Sequence, residues 1–155
     1  MRSAGLLMFR RATGGVELLL AHPGGPFWAR RDDGAWTLPK GEIGDGEEPL
    51  ATALREFEEE TGHAPAGPFL PLGSVRQKGG KEVWAWAFEG DFDPGRLRCN
   101  TFEIEWPPRS GRHQSFPEVD RVGWFDGEQA RRKLLPAQVP FVDRLLALLQ
   151  HAPDA

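Results

Sequence analysis

The segment formed by residues 41–63, GEIGDGEEPLATALREFEEETGH, constrains this chain more strongly than any other. Its spacing predicts a short helix on which the carboxylates of Glu56, Glu59 and Glu60 fall within an arc of about 100°. Like charges three and four residues apart on a helix repel one another, so their crowding indicates a positive ion between them. Carboxylate oxygens are hard ligands, which favours Mg²⁺ or Mn²⁺ as that ion.

The sequence also indicates the ends and the apolar face of this helix. Pro49 suits the first helical turn, where its missing N–H has no partner to lose, and Gly62 suits a left-handed C-cap. A face roughly opposite the acidic one is expected to pack on a core and consists of Leu50, Leu54, Phe57 and Thr61.

The fixed positions of residues 41–63 resemble the signature of the Nudix hydrolase family. Seven residues stand at the family spacing, whereas His63 stands where the family usually has an aliphatic residue. A Glu-rich helix face alone is more often solvated surface, so the spaced positions before and after it are what favour a metal site. The matching residues are Gly41, Glu47, Arg55, Glu56, Glu59, Glu60 and Gly62.

The resemblance implies that water attacks phosphorus and breaks a phosphoanhydride bond in a nucleoside diphosphate linked to another group. It implies Mg²⁺ or Mn²⁺ as cofactor, held by Glu56, Glu59, Glu60 and the backbone carbonyl of Gly41. Either Glu56 or Glu59 is expected to act with the metal in catalysis, and the sequence does not separate ligand from base.

Two further residues complete the predicted catalytic set. Arg55 is expected to contact Glu59, four residues further along the helix, and to hold this ligand in one rotamer. Glu47 is expected to accept a hydrogen bond from Arg55. A remote base or extra ligand is a separate hypothesis for Glu103 or Glu105, although a solvated strand edge is the more common role of such residues. Glu118 is a weaker candidate for the same role.

The residues before the signature bear on the substrate. The Pro-Lys-Gly sequence that ends at Gly41 resembles the family branch that hydrolyses dinucleoside polyphosphates, and also the branch acting on diphosphoinositol polyphosphates. Lys40 is therefore predicted to contact phosphate, and Trp36 is a candidate for stacking on a base. Other candidate stacking faces are Phe27, Trp28, Trp84 and Trp86, and other candidate phosphate contacts are Arg76, Lys78 and Lys81.

The favoured substrate is thus a dinucleoside polyphosphate similar to diadenosine tetraphosphate. Alternatives are a nucleoside triphosphate, a damaged nucleotide, ADP-ribose or the 5′ end of RNA. A hypothesis of another class is a nucleotide-sensing module without turnover. The substrate is a small nucleotide in the favoured interpretation, because a net charge of −4 provides no basic field for duplex nucleic acid.

The whole chain is long enough for one domain, 1–155, with its own core. Its single cysteine, Cys99, excludes an intrachain disulfide. It lacks an apolar stretch long enough for a signal peptide or a membrane span, so a cytoplasmic protein without a membrane partner is expected. The oligomeric state is left open.

The pattern of apolar runs and turns predicts an α+β protein. Strands are expected at 3–9, 16–22, 36–39, 72–76, 83–89, 100–105 and 121–125, a polar loop at 109–117, and helices at 49–61, 127–133 and 139–150. The first two strands lack polar alternation, which is typical of strands buried on both faces. The resemblance implies the arrangement of these elements, an α/β/α sandwich with a curved mixed β-sheet between helices.

Overall fold

The computed structural model of the chain describes residues 1–151, and all structural statements concern this part. The strands are β1 (Arg2–Ala12), β2 (Gly15–Pro23), β3 (Lys40–Glu42), β4 (Leu70–Arg76), β5 (Glu82–Glu89), β6 (Thr101–Glu105), β7 (His113–Pro117) and β8 (Val119–Asp126). The α-helices are α1 (Pro49–Thr61), α2 (Gly127–Lys133) and α3 (Val139–His151). No helix among these residues has the length and apolar character needed to cross a membrane.

Most strands join one mixed sheet with β1 near its centre. The order is β4-β5-β1-β2-β8, and β3 also pairs with β1. β1 and β5 run parallel, whereas the other pairs in this sheet are antiparallel. β6 and β7 form a separate antiparallel pair.

Helices cover both faces of the mixed sheet. On β1, Leu7 faces one apolar cluster, and Leu6 and Met8 face another. The first cluster includes Phe141 of α3, and the second includes Phe57 of α1. The predicted α/β/α sandwich is therefore confirmed, and burial on two faces explains why the first strands lack polar alternation.

Helix α1 has the predicted bounds, and its predicted apolar face packs on the core, but its buried residues also include Glu60. Gly62 adopts a left-handed conformation with φ of 80°, as expected for the C-cap. Phe57 is fully buried against Phe88, with ring centroids 5.3 Å apart. Glu60 is only 7% exposed, because it lies three residues after Phe57 and seven after Ala53 on the stripe that faces the sheet. The three carboxylates therefore differ in burial, since Glu60 is buried whereas Glu56 and Glu59 stay partly exposed.

Two predictions of secondary structure also need correction. Residues 36–39 are not a strand; Trp36 and Thr37 form isolated bridges, and the strand starts at Lys40. Pro39 interrupts pairing because it has no N–H to donate. Residues 113–117 form strand β7 rather than part of a loop. Its side chains are largely exposed, so no apolar alternation marks it in the sequence.

Candidate active site

Side chains from several separate segments line a cavity of 280 Å³ beside the end of β2 and the start of β8. Trp28 comes from the loop after β2, Lys40 from β3, Glu60 from α1, and Glu118 from the residue between β7 and β8. The remaining wall is formed by Pro23, Thr37, Gln77, Val119 and Leu135. The cavity thus combines an ammonium group, two carboxyl groups and a partly buried indole.

Glu60 and Lys40 both line this cavity, and the charge of each affects the pKa of the other. Burial, and then the charges of Glu56 and Glu118, raise the pKa of Glu60 to about 9, while Lys40 acts in the opposite direction. Burial likewise lowers the pKa of Lys40, against the attraction of Glu60. The Oε2 atom of Glu60 is buried and has no hydrogen-bond partner among residues 1–151. A buried acceptor of this kind is costly unless a positive group binds it.

Arg55 links the loop before α1 to the acidic residues on the helix. Its Nε and Nη2 atoms donate to the two carboxylate oxygens of Glu47, each at 3.0 Å. Its Nη1 atom donates to Glu56 at 3.1 Å and to Glu59 at 3.2 Å. The contacts predicted for Arg55 with Glu47 and Glu59 are therefore confirmed. Arg55, and then the Gly44 N–H, lower the pKa of Glu47 to about 2.

Gly41 brings the backbone of β3 close to the carboxyl group of Glu56. A Cβ atom at this position would lie 2.0 Å from the Glu56 Cδ atom, so any side chain would displace the carboxylate. Burial raises the pKa of Glu56, and the negative charge of Glu59 adds to this effect against Arg55. The absence of a side chain at Gly41 thus lets the backbone of β3 and the Glu56 carboxylate share one small space.

The oxygen atoms of these residues are of the type that binds a divalent cation, but they are not grouped around one point. Within residues 1–151, no three His, Cys, Asp or Glu side chains lie close enough together to hold a metal ion. Arg55 contacts Glu56 and Glu59, whereas Glu60 lies in the cavity beside Lys40. The buried, unpartnered Oε2 of Glu60 and the close approach of Gly41 to Glu56 are the two features that suit an oxygen-ligated cation.

The structure separates the three candidates for a remote base. Glu118 lines the cavity, and burial raises its pKa, with a further contribution from Glu59. Glu103 and Glu105 lie exposed on β6, where Glu105 accepts a hydrogen bond from the backbone N–H of Arg109. The weaker candidate from the sequence is thus the one that the fold brings to the acidic cluster.

Among the predicted substrate contacts, Lys40 reaches the cavity but Trp36 does not. Trp36 is 5% exposed and packs edge-on against His22 and Phe125, so its faces are not available for stacking on a base. Its selection as a stacking residue is wrong, because it belongs to a core cluster. Trp28 occupies the cavity wall instead, with the Arg31 guanidinium 5.5 Å from its ring centroid.

The basic residues of the β4–β5 hairpin lie outside the cavity wall. Arg76, Lys78 and Lys81 are exposed at the end of β4 and in the turn that follows. Lys81 is close enough to lower the pKa of Lys40, although less than burial does. This hairpin reaches the cavity through Gln77, a neutral residue that the charge pattern did not single out.

His22 is a second residue that the sequence analysis missed. It is fully buried at the end of β2. Its Nε2 atom lies 2.6 Å from the carbonyl oxygen of Arg31, and its Nδ1 atom lies 2.9 Å from Asp120. The ring therefore joins the loop that carries Trp28 to the start of β8, two residues after Glu118. A histidine ending an apolar run is the only sequence signal for such a link.

A larger cleft of 800 Å³ lies at the C-terminal end of α1. Its wall includes His63 and Arg98, but none of the acidic residues of the signature. His63 packs against Phe57 and Phe92, with centroids 6.4 and 5.6 Å away. The residue that departs from the family pattern is accommodated by aromatic packing, and the smaller cavity remains the one that carries the reactive groups.

The chain thus combines a mixed sheet between helices with two carboxyl groups, Glu60 and Glu118, in one cavity. The family model of the NUDIX domain matches residues 1–147, and the chain belongs to this family. It is accordingly a hydrolase that acts on pyrophosphate bonds. Nudix hydrolases generally use divalent metal ions.

The chain is similar to three proteins of known name or structure. An 8-oxo-(d)GTP phosphatase of Mycolicibacterium smegmatis is 38% identical over 61% of this chain, and the match takes in 31% of that longer protein. An RNA pyrophosphohydrolase of Brucella anthropi is 29% identical, with 88% of each chain covered. The structure of a C. elegans Ap4A hydrolase binary complex superposes with a TM-score of 0.67 at 19% identity, over 97% of this chain and 99% of that one.

Proposed function

We propose that this protein hydrolyses a phosphoanhydride bond in nucleoside polyphosphates and that dinucleoside polyphosphates are its favoured substrates. The observation that carries the proposal is the cavity in which Lys40 and Trp28 lie beside Glu60 and Glu118. An ammonium group attracts a polyphosphate as a point charge, and an indole provides a face on which a base stacks.

The residues of the signature divide the chemical work. Glu56, Glu59, Glu60 and the Gly41 carbonyl would hold Mg²⁺ or Mn²⁺, which would supply neutralisation of phosphate charge and a lower pKa of bound water. Arg55 and Glu47 keep the Glu59 carboxylate in place through the contacts described above. Glu118 takes the proton of the attacking water, because it lines the cavity and burial raises its pKa toward the range of a general base.

A second candidate substrate is the 5′ end of RNA. The Brucella anthropi relative carries the name RNA pyrophosphohydrolase and matches nearly the whole of both chains. Damaged guanine nucleotides are the third candidate, after the name of the Mycolicibacterium smegmatis relative. The net charge of −4 disfavours RNA, since the polyanion would have to bind without a basic field.

The test is a substrate panel with Mg²⁺ or Mn²⁺ in which products are separated by chromatography. The panel contains diadenosine tetraphosphate, a 5′-triphosphorylated oligoribonucleotide, 8-oxo-dGTP and ADP-ribose. The proposal expects the highest kcat/KM for the dinucleotide, which releases two nucleotides. A higher kcat/KM for the oligonucleotide or for 8-oxo-dGTP would make that compound the favoured substrate. Tight nucleotide binding without turnover would indicate a sensing module.

A matched pair of variants tests whether the acidic cluster performs this reaction. Glu59→Gln is expected to abolish metal-dependent hydrolysis in a folded protein, because the neutral amide is a poor ligand for a hard cation. Glu58→Gln makes the same change at an exposed neighbour outside the signature and is the control. Full turnover in a folded Glu59→Gln protein would remove Glu59 from the catalytic centre.

A further inference from the structure

A buried amide network fixes the orientation of Gln77 at the wall of the cavity. Gln138 is fully buried, and its Oε1 atom accepts a hydrogen bond from the backbone N–H of Leu38 at 3.0 Å. A backbone N–H can only donate, so this contact identifies the oxygen of the Gln138 amide. The Gln138 Nε2 atom must then be the group that faces Thr37 and Gln77, at 2.9 Å from each partner atom.

The orientation of Gln138 determines that of Gln77. Both hydrogens of the Gln138 Nε2 atom are used, one toward the Thr37 hydroxyl and one toward Gln77. The Gln77 atom that receives the second hydrogen must be its Oε1, since two NH₂ groups would otherwise oppose each other. The Gln77 Nε2 atom has no hydrogen-bond acceptor among the described residues, and Gln77 lines the cavity.

The backbone of Gln77 is held as firmly as its side chain. Its N–H donates to the Lys81 carbonyl at 2.7 Å, and its own carbonyl accepts from the Gly80 N–H at 3.0 Å. A neutral donor fixed at both ends loses little conformational freedom on binding, which is the condition for selective recognition. The same cavity is also lined by the indole of Trp28 and the apolar side chain of Leu135, which suit the face of a nucleobase, whereas Lys40 suits phosphate.

We infer that Gln77 is a specificity-determining residue whose amide NH₂ donates to a carbonyl oxygen of a nucleobase stacked on Trp28. The inference rests on the proposed function and names the base that this site selects. Guanine and uracil carry a carbonyl where adenine and cytosine carry an amino group, which is itself a donor. Gln77 therefore favours guanine over adenine, and diguanosine tetraphosphate over diadenosine tetraphosphate.

The experiment compares kcat/KM for diguanosine and diadenosine tetraphosphate in the wild-type protein and in Gln77→Glu. The substituted carboxylate keeps an oxygen for Gln138 and replaces the cavity-facing donor by an acceptor. The wild-type protein is expected to prefer the guanosine compound by about three- to tenfold, the size of one neutral hydrogen bond. Gln77→Glu is expected to lower that ratio at least about tenfold, because its carboxylate repels the carbonyl and accepts from the amino group.

The matched control is Gln150→Glu, the same change at an exposed residue of α3, which is expected to leave the ratio unaltered. An equal loss of kcat/KM for both substrates in Gln77→Glu would mean that the residue contacts phosphate, and this would overturn base recognition. A ratio that does not change would overturn it as well. If the wild-type protein cleaves neither compound, the proposed function fails. The same ratio is then measured as binding of GMP and AMP by tryptophan fluorescence, which still decides the role of Gln77.

Discussion

The carboxyl group of Glu60 has a strongly raised pKa. Its pKa is about 9 in the folded protein, above the ordinary value of 4.5, because it is buried near Glu56 and Glu118. At a pH between these two pKa values, Glu60 is protonated in the folded chain and ionised in the unfolded chain. The free energy of unfolding therefore falls as the pH rises through this range, and the loss is complete above the folded pKa.

Glu60→Gln is expected to flatten this pH dependence in metal-free protein. The neutral amide removes the titration of Glu60 while keeping nearly the same volume, so the variant gains stability relative to the wild type as the pH rises from about 5 toward about 9. Urea unfolding in the presence of a chelator, at several pH values, measures the effect. Parallel stability curves for the two proteins would show that Glu60 does not titrate in this range. Added Mg²⁺ should favour the wild type alone.

Glu118 provides the second prediction at this scale. Glu118→Gln is expected to lower kcat at least about 100-fold with little change in KM, the loss typical of a missing general base. Glu103→Gln and Glu105→Gln are the comparison, since both residues lie exposed on β6. Near-normal pH–rate profiles for these two, and loss of the acidic limb in Glu118→Gln, are expected. The reverse pattern would return the base to β6.

Sequence reasoning at the residue scale succeeded where spacing along one helix decides the contact. The Arg55–Glu59 contact follows from four residues of separation, and the structure contains it. The roles of Trp36 and Glu118 depend on which loops meet in space, and no local pattern encodes this. Trp36 is an aromatic residue whose burial, not its chemistry, removes it from the substrate.

At the scale of elements, the loop after β2 depends on His22. Both partners of its ring, the Arg31 carbonyl and the Asp120 carboxylate, are acceptors. His22→Leu removes the ring N–H that donates to one of these acceptors and is expected to lower the free energy of unfolding by about 1–3 kcal/mol. Because the loop carries Trp28, KM should rise more than kcat falls. Urea unfolding and steady-state kinetics measure these two effects.

The control for this prediction is Asp120→Asn, which keeps an oxygen acceptor for His22 and leaves the link to Arg31 intact. It should change KM much less than His22→Leu. A His22→Leu protein with unaltered KM would show that Trp28 is placed independently of this ring.

Elements were predictable from sequence where one periodicity was strong. α1, α3 and the buried strands follow from apolar spacing, and their bounds agree with the structure to within a few residues. β7 was not predicted because it and its partner β6 are both largely polar. The two strands pair with Phe102 opposite Phe116. Strand formation there is decided by the partner and not by the segment itself.

At the scale of the whole molecule, the sheet separates two hydrophobic cores, and only one of them supports the acidic helix α1. Phe57 belongs to the cluster beneath the acidic helix, and Phe141 belongs to the cluster on the other face. Both side chains are fully buried, so Phe57→Ala and Phe141→Ala should each lower the free energy of unfolding by about 3–5 kcal/mol. Their effects on activity should differ, because only Phe57 lies on the helix that carries the acidic residues.

Activity per folded molecule distinguishes the two variants. Phe57→Ala leaves a void under α1 and lets the carboxylates shift, so it should need more Mg²⁺ for half-maximal rate even after correction for the unfolded fraction. Phe141→Ala should match the wild type after the same correction, because its cavity opens on the opposite face. Kinetics over a range of Mg²⁺ at low temperature, with the folded fraction taken from urea unfolding, provide the comparison. Equal losses in both would mean that the sheet transmits packing defects from one face to the other, and the site would then depend on both cores.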